Sequence, residues 1–393
     1  MTLYLNDLGL ICALGSGKQT VLPRLLASDR SGLILSDEFS PDQAVWLGQV
    51  TEALPQIPSE FGVYSCRNNQ LLLAAVAQIR SCIDTMLSRF CRHRIGIVLG
   101  TSTSGVRNTE LALAYVAEHD QLPDAYHYKQ QQMGAGAEFL AAYLGINGPA
   151  YTISTACSSS GKAFASARRL LALDLCDAVI VGGADSLCGL TVNGFRALDS
   201  VSNGLCKPFG QRRDGINIGE AAALFVLSRQ AGPVELCGVA TTSDAYHFSA
   251  PDPEGVAVAD AMRKALAQAG LHPEQVDYLN LHGTATILND AMESRAVYEV
   301  FGSQTSVSSS KGMTGHTLGA AAALELGFCW LLLESSDSNG LLIPNASNDA
   351  SDPALPALNF VKPGQTLGRR IEICQSNSFA FGGSNVSIVV ARA

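Results

Sequence analysis

The chain has 393 residues, of which 47% are hydrophobic and only 16% are charged. A chain of this length and composition buries a large core, which excludes an intrinsically disordered protein. The formal net charge is −9, from 26 basic and 35 acidic residues, and it argues against a general binder of nucleic acid or of anionic membranes.

The first seven residues carry no basic side chain and only a short apolar run, so we expect no secretory signal here. No stretch of 18 or more apolar residues is free of polar breaks, and we predict no membrane span. The closest stretch, residues 318–333, contains Glu325 and favours a buried helix. Eleven cysteines without a Cys-x-x-Cys pair argue against a disulfide framework and against structural zinc, so we expect a reducing cytoplasm.

Short runs of Val, Ile and Leu alternate with longer segments rich in Ala and Leu, a pattern typical of an α/β protein. Apolar residues three and four apart predict helices over 69–86 and 161–173. Most of the strand candidates are apolar on both faces, as in a sheet covered on both sides. These candidates are residues 95–99, 151–154, 178–181, 224–227, 278–281 and 386–390.

A weak repeat divides the chain into two halves. Residues 96–103 form a predicted strand that ends in Gly-Thr-x-Thr, and residues 278–286 follow the same pattern. In each half a second predicted strand, 151–154 or 306–310, then leads into small residues and an Ala-rich helix. The segment 229–233 is the predicted joint between an N-terminal half, 1–230, and a C-terminal half, 231–393. The repeat alone leaves a duplicated fold as one possibility among others.

Cys157 follows a predicted strand and precedes a predicted helix within residues 154–161, which read Ser-Thr-Ala-Cys-Ser-Ser-Ser-Gly. At a helix N-terminus the macrodipole and the unpaired N–H groups favour a thiolate over a thiol. The same N–H groups can form part of an oxyanion hole. Cysteine is also commonly a small buried residue, which is our interpretation of the other ten. The position of Cys157 leaves a nucleophile and a structural residue equally open.

Two histidines lie among glycines and threonines at the ends of predicted strands, where sites of α/β proteins usually form. They are His282, before Gly-Thr-Ala-Thr, and His316, within residues 311–319. A single histidine of this kind is more often structural, and the other five receive no role. Zinc binding by the two is disfavoured because no carboxylate completes a ligand set, so we predict no metal.

The last motif, residues 377–385, reads Asn-Ser-Phe-Ala-Phe-Gly-Gly-Ser-Asn. A Gly-Gly pair after two aromatic residues can bring backbone N–H groups close to a ligand. A hairpin turn is the default interpretation of the pair. No Gly-Lys-Ser/Thr follows, so the motif is not a phosphate loop.

In combination these motifs resemble the β-ketoacyl-acyl carrier protein synthases, the elongating condensing enzymes of the thiolase superfamily. The resemblance covers nearly the whole chain in the family's order. The matching segments are 155–159 around the cysteine, 207–209 with 213–215 and 219–220, 282–286 with 289–290, 311–321 with Glu325, and the Phe-Gly-Gly loop at 379–383.

The resemblance implies an α/β thiolase fold, in which two similar α/β halves form a layered α-β-α-β-α body that is normally dimeric. It implies that no cofactor or metal is bound and that phosphopantetheine belongs to the partner, an acyl carrier protein. The second subunit would be an identical chain or a ketosynthase or chain-length-factor-like subunit, in a homodimer or a heterodimer. Residues 215–222 look similar to ketosynthases of aryl-polyene or polyketide pathways, with fatty acid synthesis as the alternative.

The resemblance also implies a mechanism. Cys157 would carry the acyl group as a thioester, and the backbone N–H groups of Cys157 and Phe381 would hold the oxyanion. His282 and His316 would donate hydrogen bonds to the thioester oxygen of the malonyl-carrier substrate as CO₂ leaves. Lys311 would act electrostatically and keep both imidazoles neutral.

Further positions match supporting roles in the family. These are Glu325 beside the lysine, Thr284 and Thr286 for the phosphopantetheine arm, Phe379 and Phe381 for the gate, and, for carrier docking, Arg67, Lys129 and Lys207.

Two other functions stay open from the sequence. A non-catalytic chain-length-factor-like subunit would lack the nucleophilic cysteine, whereas Cys157 is present. A thiolase acting on coenzyme A esters would replace one histidine by a second reactive cysteine. Three departures from the family pattern concern dynamics more than chemistry, namely Gly210 after Pro-Phe, the run of alanines 221–223, and Ala380 in place of a glycine in the gating loop.

Overall fold

The structure is a computed structural model that describes residues 1–347 and 349–393. Its strands are β1 (Tyr4–Cys12), β2 (Gly15–Ser16), β3 (Leu33–Ser36), β4 (Val45–Gly48), β5 (Ile95–Gly100), β6 (Ala150–Ile153), β7 (Ala178–Asp185), β8 (Ile218–Gly219), β9 (Ala221–Ser228), β10 (Val234–Ser243), β11 (Tyr278–Asn280), β12 (Ser306–Ser308), β13 (Asn359–Phe360), β14 (Ile373–Ala380) and β15 (Ser384–Arg392).

The α-helices are α1 (Lys18–Leu26), α2 (Arg67–Gln78), α3 (Arg80–Arg89), α4 (Val106–His119), α5 (Ala135–Leu144), α6 (Ser159–Ala172), α7 (Gly189–Ala197), α8 (Val256–Ala269), α9 (Ile287–Phe301), α10 (Lys311–Thr314) and α11 (Ala321–Glu334). Short 3₁₀ turns lie at Ser59–Tyr64, Arg92–Arg94, Tyr128–Gln131, Pro273–Gln275 and Leu318–Ala320.

The main sheet repeats one strand order in each half of the chain. In the N-terminal half β1, β9 and β7 are antiparallel neighbours, and β5 and β6 then continue parallel to β7. In the C-terminal half β10, β15 and β14 are antiparallel neighbours, and β11 and β12 continue parallel to β14. The halves join where β1 pairs with β10. The predicted correspondence of β5 with β11 and of β6 with β12 is therefore confirmed.

Helices and sheets form five layers. The central layer consists of α6 and α11, which contact each other and strands of both halves. The outer layers are α2 and α5 against the N-terminal strands and α8 with α9 at the C-terminal strands. This is the expected α-β-α-β-α arrangement. Because α11 is covered on all sides, every residue from Ala321 to Leu333 is buried and the helix has no polar face.

The predicted helix over 69–86 is wrong as a single element. The structure has two helices, α2 and α3, bent by 75° at Ile79, whose φ of −109° and ψ of 15° leave the helical region. Ile79, Ile83 and Met86 are nonetheless all buried, so the apolar periodicity continues across the break and conceals it. Within the described residues no single helix is long and apolar enough to cross a membrane, although this bent pair meets the length and composition together.

The chain direction in the two halves places the functional motifs at neighbouring strand ends. Cys157 lies between β6 and α6, and His282 lies just after β11. Lys311 opens α10 after β12, and His316 follows α10. Of the two phenylalanines in the last motif, Phe379 lies near the end of β14 and Phe381 lies in the turn between β14 and β15. Within each half the carboxyl ends of the parallel strands share an edge. The packing of the two halves across α6 and α11 then brings Cys157 next to the segments of the C-terminal half.

The central layer can be tested through Phe225 of β9 and Phe164 of α6, which are both fully buried with their ring centroids 5.3 Å apart. Replacing Phe225→Ala should lower the free energy of unfolding by about 3–5 kcal/mol, because the cavity forms where the layers meet. The control Leu173→Ala, at a position 70% exposed, should stay within about 0.5 kcal/mol. Urea and thermal unfolding measure both, and equal effects would contradict this packing.

Candidate active site

Cys157 lies on a tight turn that the surrounding backbone holds in place. The preceding residue, Ala156, has a left-handed φ of 50°, and its carbonyl accepts a hydrogen bond from Ser102 Oγ at 3.3 Å. Ser378 Oγ donates to the carbonyl of Cys157 at 3.2 Å. At Gly100 of β5 a Cβ atom would lie 2.2 Å from the backbone N of Ser160, so glycine permits the strand to approach the start of α6. These contacts fix the direction of the thiol.

The structure brings Cys157, His282 and His316 together, although they are distant in the chain. His316 Nε2 lies 3.0 Å from Cys157 Sγ, and the two imidazole centroids are 5.2 Å apart with their planes nearly perpendicular. The ligand atoms of all three side chains lie within 4.8 Å of one another, and all three residues are buried. The juxtaposition on which the predicted mechanism depends is therefore present.

The proton on His316 has a defined place. The backbone N–H of Leu318 donates to His316 Nδ1 at 3.3 Å, so that nitrogen is an acceptor and the neutral ring carries its proton on Nε2. The Nε2–H group then faces the cysteine sulfur and the cavity. His282 Nδ1 has no hydrogen-bond partner within the described chain, so its tautomer is not fixed in this way.

Lys311 and Glu325 form an ion pair below the two imidazoles, with side chains 1% and 2% exposed. Lys311 Nζ also donates to the backbone carbonyl of His282 at 2.5 Å. Burial raises the pKa of the Glu325 carboxyl to about 7, although the neighbouring lysine acts in the opposite direction. Glu325 therefore lies beside the lysine, as the resemblance implied.

Both imidazoles are held in the neutral form. Burial is the main cause that lowers the pKa of His282 and of His316 well below the ordinary value, and the positive charge of Lys311 lowers both further. Neutral imidazoles can donate one hydrogen bond each without carrying charge. The stability that burial of the neutral rings provides is present above their ordinary pKa of 6.5 and is lost as the pH falls below it.

The expectation of a resting thiolate at Cys157 is wrong. Burial raises the pKa of this thiol to about 12 and outweighs Lys311 and the backbone N–H groups of Cys157 and Phe381, which lower it. The helix α6 begins only at Ser159, two residues further on. The sulfur therefore rests as a thiol. The same two N–H groups are those that the resemblance assigns to the oxyanion hole.

Cys157, His282 and His316 also have the spacing of a possible three-ligand metal site. The sequence argument against zinc considered only the two histidines and a missing carboxylate, so it overlooked the cysteine. The prediction of no metal stays a prediction.

A cavity with about 990 Å³ of empty space, including its mouth, opens above the three side chains. Thr284 and Thr286 both line it, and their hydroxyl oxygens lie 2.9 Å apart. Phe379 lies 6.0 Å from the His282 ring, while the Phe381 ring packs 5.6 Å from Phe195. The threonines and both phenylalanines predicted to contact substrate therefore face the cavity.

The Phe-Ala-Phe-Gly-Gly motif covers the end of β14 and the turn that leads to β15, and the turn itself is residues 381–383. Gly383 has a φ of 74°, and a Cβ atom there would lie 1.5 Å from Asp244 Oδ1, so glycine is required. Ala380, by contrast, is the last residue of β14 and pairs with Ser384 of β15. Its methyl group fits an extended strand, so the departure from glycine does not strain this conformation.

The three predicted docking residues lie in different environments. Arg67 donates to both carboxylate oxygens of Glu220 and to the carbonyl of Val50, so its guanidinium holds the N-terminal half together. Lys129 contacts Glu138 and a tyrosine hydroxyl near the surface. Lys207 is half-buried next to the loop before β8. None of the three lines the cavity itself.

Two acidic residues of α9 support the His282 loop. The sequence analysis placed Asp290 in a segment that matches the family, but it gave neither Asp290 nor Glu293 a role. Glu293 accepts the backbone N–H groups of His282 and Gly283, both at 2.7 Å. Asp290 accepts those of Phe209 and Ala285 at 2.7 and 3.2 Å. The available signal was that the two acids, three residues apart, share the face of α9 that carries its buried apolar residues, since charged side chains are rarely buried without partners.

The layered fold and the buried Cys-His-His cluster define a condensing enzyme of the thiolase type. The family model described as "Beta-ketoacyl synthase, N-terminal domain" matches residues 69–232. The model described as "Beta-ketoacyl synthase, C-terminal domain" matches residues 234–342. The chain therefore belongs to the β-ketoacyl synthase family, which comprises acyltransferases that form carbon–carbon bonds. This confirms the family that the motifs indicated.

Relatives and solved structures agree with this assignment. "Nodulation protein E" of Rhizobium meliloti is 30% identical over 97% of this chain and 96% of its own length. "3-oxoacyl-[acyl-carrier-protein] synthase 2" of Staphylococcus aureus is 33% identical over 75% of this chain and 76% of its own. A chain of the solved complex of the ketosynthase ApeO with its chain length factor ApeC, from Xenorhabdus doucetiae, is 42% identical with a TM-score of 0.93, covering 100% and 98% of the two chains.

The buried thiol predicts a distinct reactivity. Alkylation of Cys157 by iodoacetamide should accelerate about tenfold per pH unit from about pH 7 to pH 10, because the thiolate fraction grows tenfold per unit below a pKa of about 12. Mass spectrometry of the Cys157 peptide follows the reaction, and the exposed Cys91 serves as an internal reference for the reagent. A rate that is constant over this range would indicate a resting thiolate and contradict the prediction.

Proposed function

We propose that this protein is an elongating β-ketoacyl-acyl carrier protein synthase that uses Cys157, His282 and His316 as its reacting centre. The observation that carries the proposal is that their three ligand atoms lie within 4.8 Å of one another in a buried site beneath an open cavity. One nucleophilic sulfur and two neutral N–H donors are the groups that acyl transfer and decarboxylative condensation require.

In the first step Cys157 Sγ attacks the thioester carbonyl of an acyl carrier protein. The new C–S bond forms as the bond to the carrier's sulfur breaks, and the carrier leaves as a thiol that takes up the proton given up by Cys157. The backbone N–H groups of Cys157 and Phe381 hold the negative oxygen of the tetrahedral intermediate. Their effect on the sulfur, where both lower its pKa, supports this placement.

In the second step a malonyl group on the carrier protein loses CO₂. The electron pair of the broken C–C bond moves into an enolate, whose oxygen accepts hydrogen bonds from His282 and His316. The enolate carbon then attacks the Cys157 thioester and releases the sulfur as a thiolate, which takes up a proton from solvent. The β-ketoacyl chain leaves on the carrier, two carbons longer. The Nε2–H tautomer of His316 supports its role as a donor.

Lys311 and Glu325 keep the imidazoles of His282 and His316 neutral and in position to donate hydrogen bonds. The ammonium group of Lys311 holds the carbonyl of His282 and opposes protonation of both rings, which would add charge next to it. Glu325 balances the lysine charge, and both side chains are almost completely buried. Removal of one partner would leave an uncompensated buried charge.

Thr284 and Thr286 bind the phosphopantetheine arm of the carrier protein, which brings the only prosthetic group of the reaction. Their hydroxyl groups face the cavity near the two imidazoles, which supports this assignment. Phe379 and Phe381 separate the acyl pocket from the entrance. The enzyme itself binds no cofactor or metal in this proposal.

The partners are an acyl carrier protein and a second subunit, either an identical chain or a chain-length-factor-like chain. The solved ketosynthase complex with its chain length factor supports the second arrangement. Helix α4 buries only Ala112 and exposes Leu111 and Leu113, and β6 lies at the edge of the sheet, so an apolar surface and an unpaired strand are available to a partner.

We further propose the two halves 1–230 and 231–393 as structural units and the cytoplasm as the compartment. Aryl-polyene or polyketide synthesis is the favoured pathway, because residues 215–222 look similar to ketosynthases of those pathways, and fatty acid synthesis is the alternative. The non-catalytic subunit is disfavoured by Cys157, and the coenzyme A thiolase is disfavoured by the second histidine.

The nucleophile can be separated from the decarboxylating pair. Acyl carrier protein should acylate the wild-type enzyme at Cys157, which intact-protein mass spectrometry detects. In Cys157→Gln condensation should fall at least about a thousandfold, while release of CO₂ from malonyl carrier protein persists because His282 and His316 remain. The double variant Cys157→Gln/His316→Gln should lose CO₂ release as well. Unchanged condensation in Cys157→Gln would overturn the mechanism.

Among the predicted docking residues, Arg67 forms an ion pair with Glu220. Lys207 forms no ion pair with any of the residues that the structure describes. Reversal of its charge, Lys207→Glu, should raise KM for malonyl carrier protein about three- to tenfold with kcat unchanged, because the carrier is acidic. Lys362→Glu makes the same charge change at an exposed position outside the cavity lining. Equal KM values in the two variants would show that Lys207 has no docking role.

A further inference from the structure

Asp185, the last residue of β7, is a fully buried carboxylate outside the reacting centre. Its oxygens accept hydrogen bonds from the hydroxyl groups of Thr101 and Thr103, at 2.5 and 2.9 Å, and from the backbone N–H groups of Ser102, Thr103 and Gly319, at 2.6–3.0 Å. In the part of the chain that the structure describes, no lysine or arginine pairs with it. Every group that contacts Asp185 is a hydrogen-bond donor. Such surroundings suit an ionised carboxylate, which only accepts, but not the amide of an asparagine, which also donates.

One side of this carboxylate reaches the His316 loop. Gly319 donates to Asp185 Oδ2 at 2.6 Å, and the preceding residue, Leu318, is buried with a left-handed φ of 50°. Such a conformation is strained for leucine and persists only where neighbouring contacts hold it. It is the N–H of Leu318 that donates to His316 Nδ1. The bond to Asp185 therefore lies next to the peptide that sets the His316 tautomer.

The other side reaches the nucleophile turn. The N–H of Ser102 donates to both oxygens of Asp185, and Ser102 Oγ donates to the carbonyl of Ala156. Ala156 is the left-handed residue directly before Cys157. The loops that carry the sulfur and the imidazole nitrogen thus share one buried anchor.

The close approach of the His316 loop to Asp185 requires glycine at position 319. A Cβ atom there would lie 2.8 Å from Asp185 Oδ2 and 2.7 Å from Ser102 Oγ, closer than carbon approaches oxygen. The loop therefore approaches the carboxylate as closely as a backbone can.

We propose that Asp185 is a positioning residue that holds the Leu318 N–H against His316 Nδ1, and thereby keeps the His316 proton on Nε2 and the Nε2–Sγ spacing near 3.0 Å. The charge of Asp185 opposes a thiolate at Cys157, so electrostatics alone would make its removal activating. Geometry predicts the opposite outcome, and the two effects can be distinguished by experiment. The kinetic part of the proposal rests on the proposed function, whereas the tautomer does not.

The test uses Asp185→Asn, which keeps the size of the side chain. Its amide NH₂ group is a donor and would face the backbone N–H groups that donate to the aspartate. Nitrogen NMR of protein labelled with ¹⁵N-histidine reports the tautomer, with His316 assigned by loss of its signals in His316→Gln. We expect the Nε2–H form in the wild type and a shift toward the Nδ1–H form in Asp185→Asn. In the Cys157→Gln background, Asp185→Asn should lower kcat for CO₂ release at least about tenfold, with KM changed less than about twofold.

Asp277→Asn is the matched control. Asp277 is also a buried aspartate that accepts two backbone N–H groups, those of Glu372 and Ile373. Unlike Asp185 it also pairs with Arg369, and it precedes β11 at the end opposite His282. It should lower Tm and leave the tautomer and kcat unchanged. A purely structural role of Asp185 would give the same result in both variants and would overturn the proposal.

Gly319→Ala tests the same bond from the other partner and decides the question if Asp185→Asn does not fold. Its methyl group displaces the Asp185 contact, so the same change of tautomer and of kcat is expected. An unaltered His316 tautomer in the folded variant would refute the proposal. If Cys157→Gln alone releases no CO₂, the proposed function fails, and the NMR comparison still tests Asp185.

Discussion

The ion pair between Lys311 and Glu325 is buried almost completely beneath the two imidazoles, and the remainder of the site depends on it. A single charge at this depth would be strongly unfavourable, so the carboxylate makes the ammonium tolerable. The ammonium in turn holds the backbone of His282 and makes a second positive charge on either ring unfavourable. Neutral donor imidazoles therefore follow from one buried pair and from burial itself.

The duplicated fold explains how such a pair can be assembled. Each half presents its parallel strands in the same order, and the two copies meet across the central layer of α6 and α11. The N-terminal half contributes the sulfur at the start of α6, and the C-terminal half contributes both histidines and Lys311. Because α11 is buried on every side, it can carry Glu325 into the middle of the molecule without a path to solvent.

Much of this was predictable from the sequence, and the exceptions have physical causes. The motif order identified the family, and the Gly-Thr-x-Thr repeat matched β5 to β11. The break at Ile79 was hidden because the apolar periodicity continues through it. The Cys157 thiol was expected to ionise because the helix terminus is visible in the sequence, whereas the depth of burial is not. Arg67 was predicted to dock the carrier protein, and the sequence did not reveal its ion pair because the partner, Glu220, lies 153 residues away. In the sequence Asp185 is only the polar last residue of an apolar strand. Its role was not predictable, because its hydrogen-bond partners come from two distant loops.

The β14–β15 hairpin places two duties on one residue. The ring of Phe381 rests against Phe195 across the cavity, and its backbone N–H acts on the sulfur of Cys157. Because one residue supplies both groups, a shift of the hairpin backbone at Phe381 would move the ring and the N–H group together. In the proposed mechanism the acyl chain would therefore enter by rotation of the Phe381 ring about its side-chain bonds, while the strand pair Ala380–Ser384 keeps the N–H group beside the sulfur.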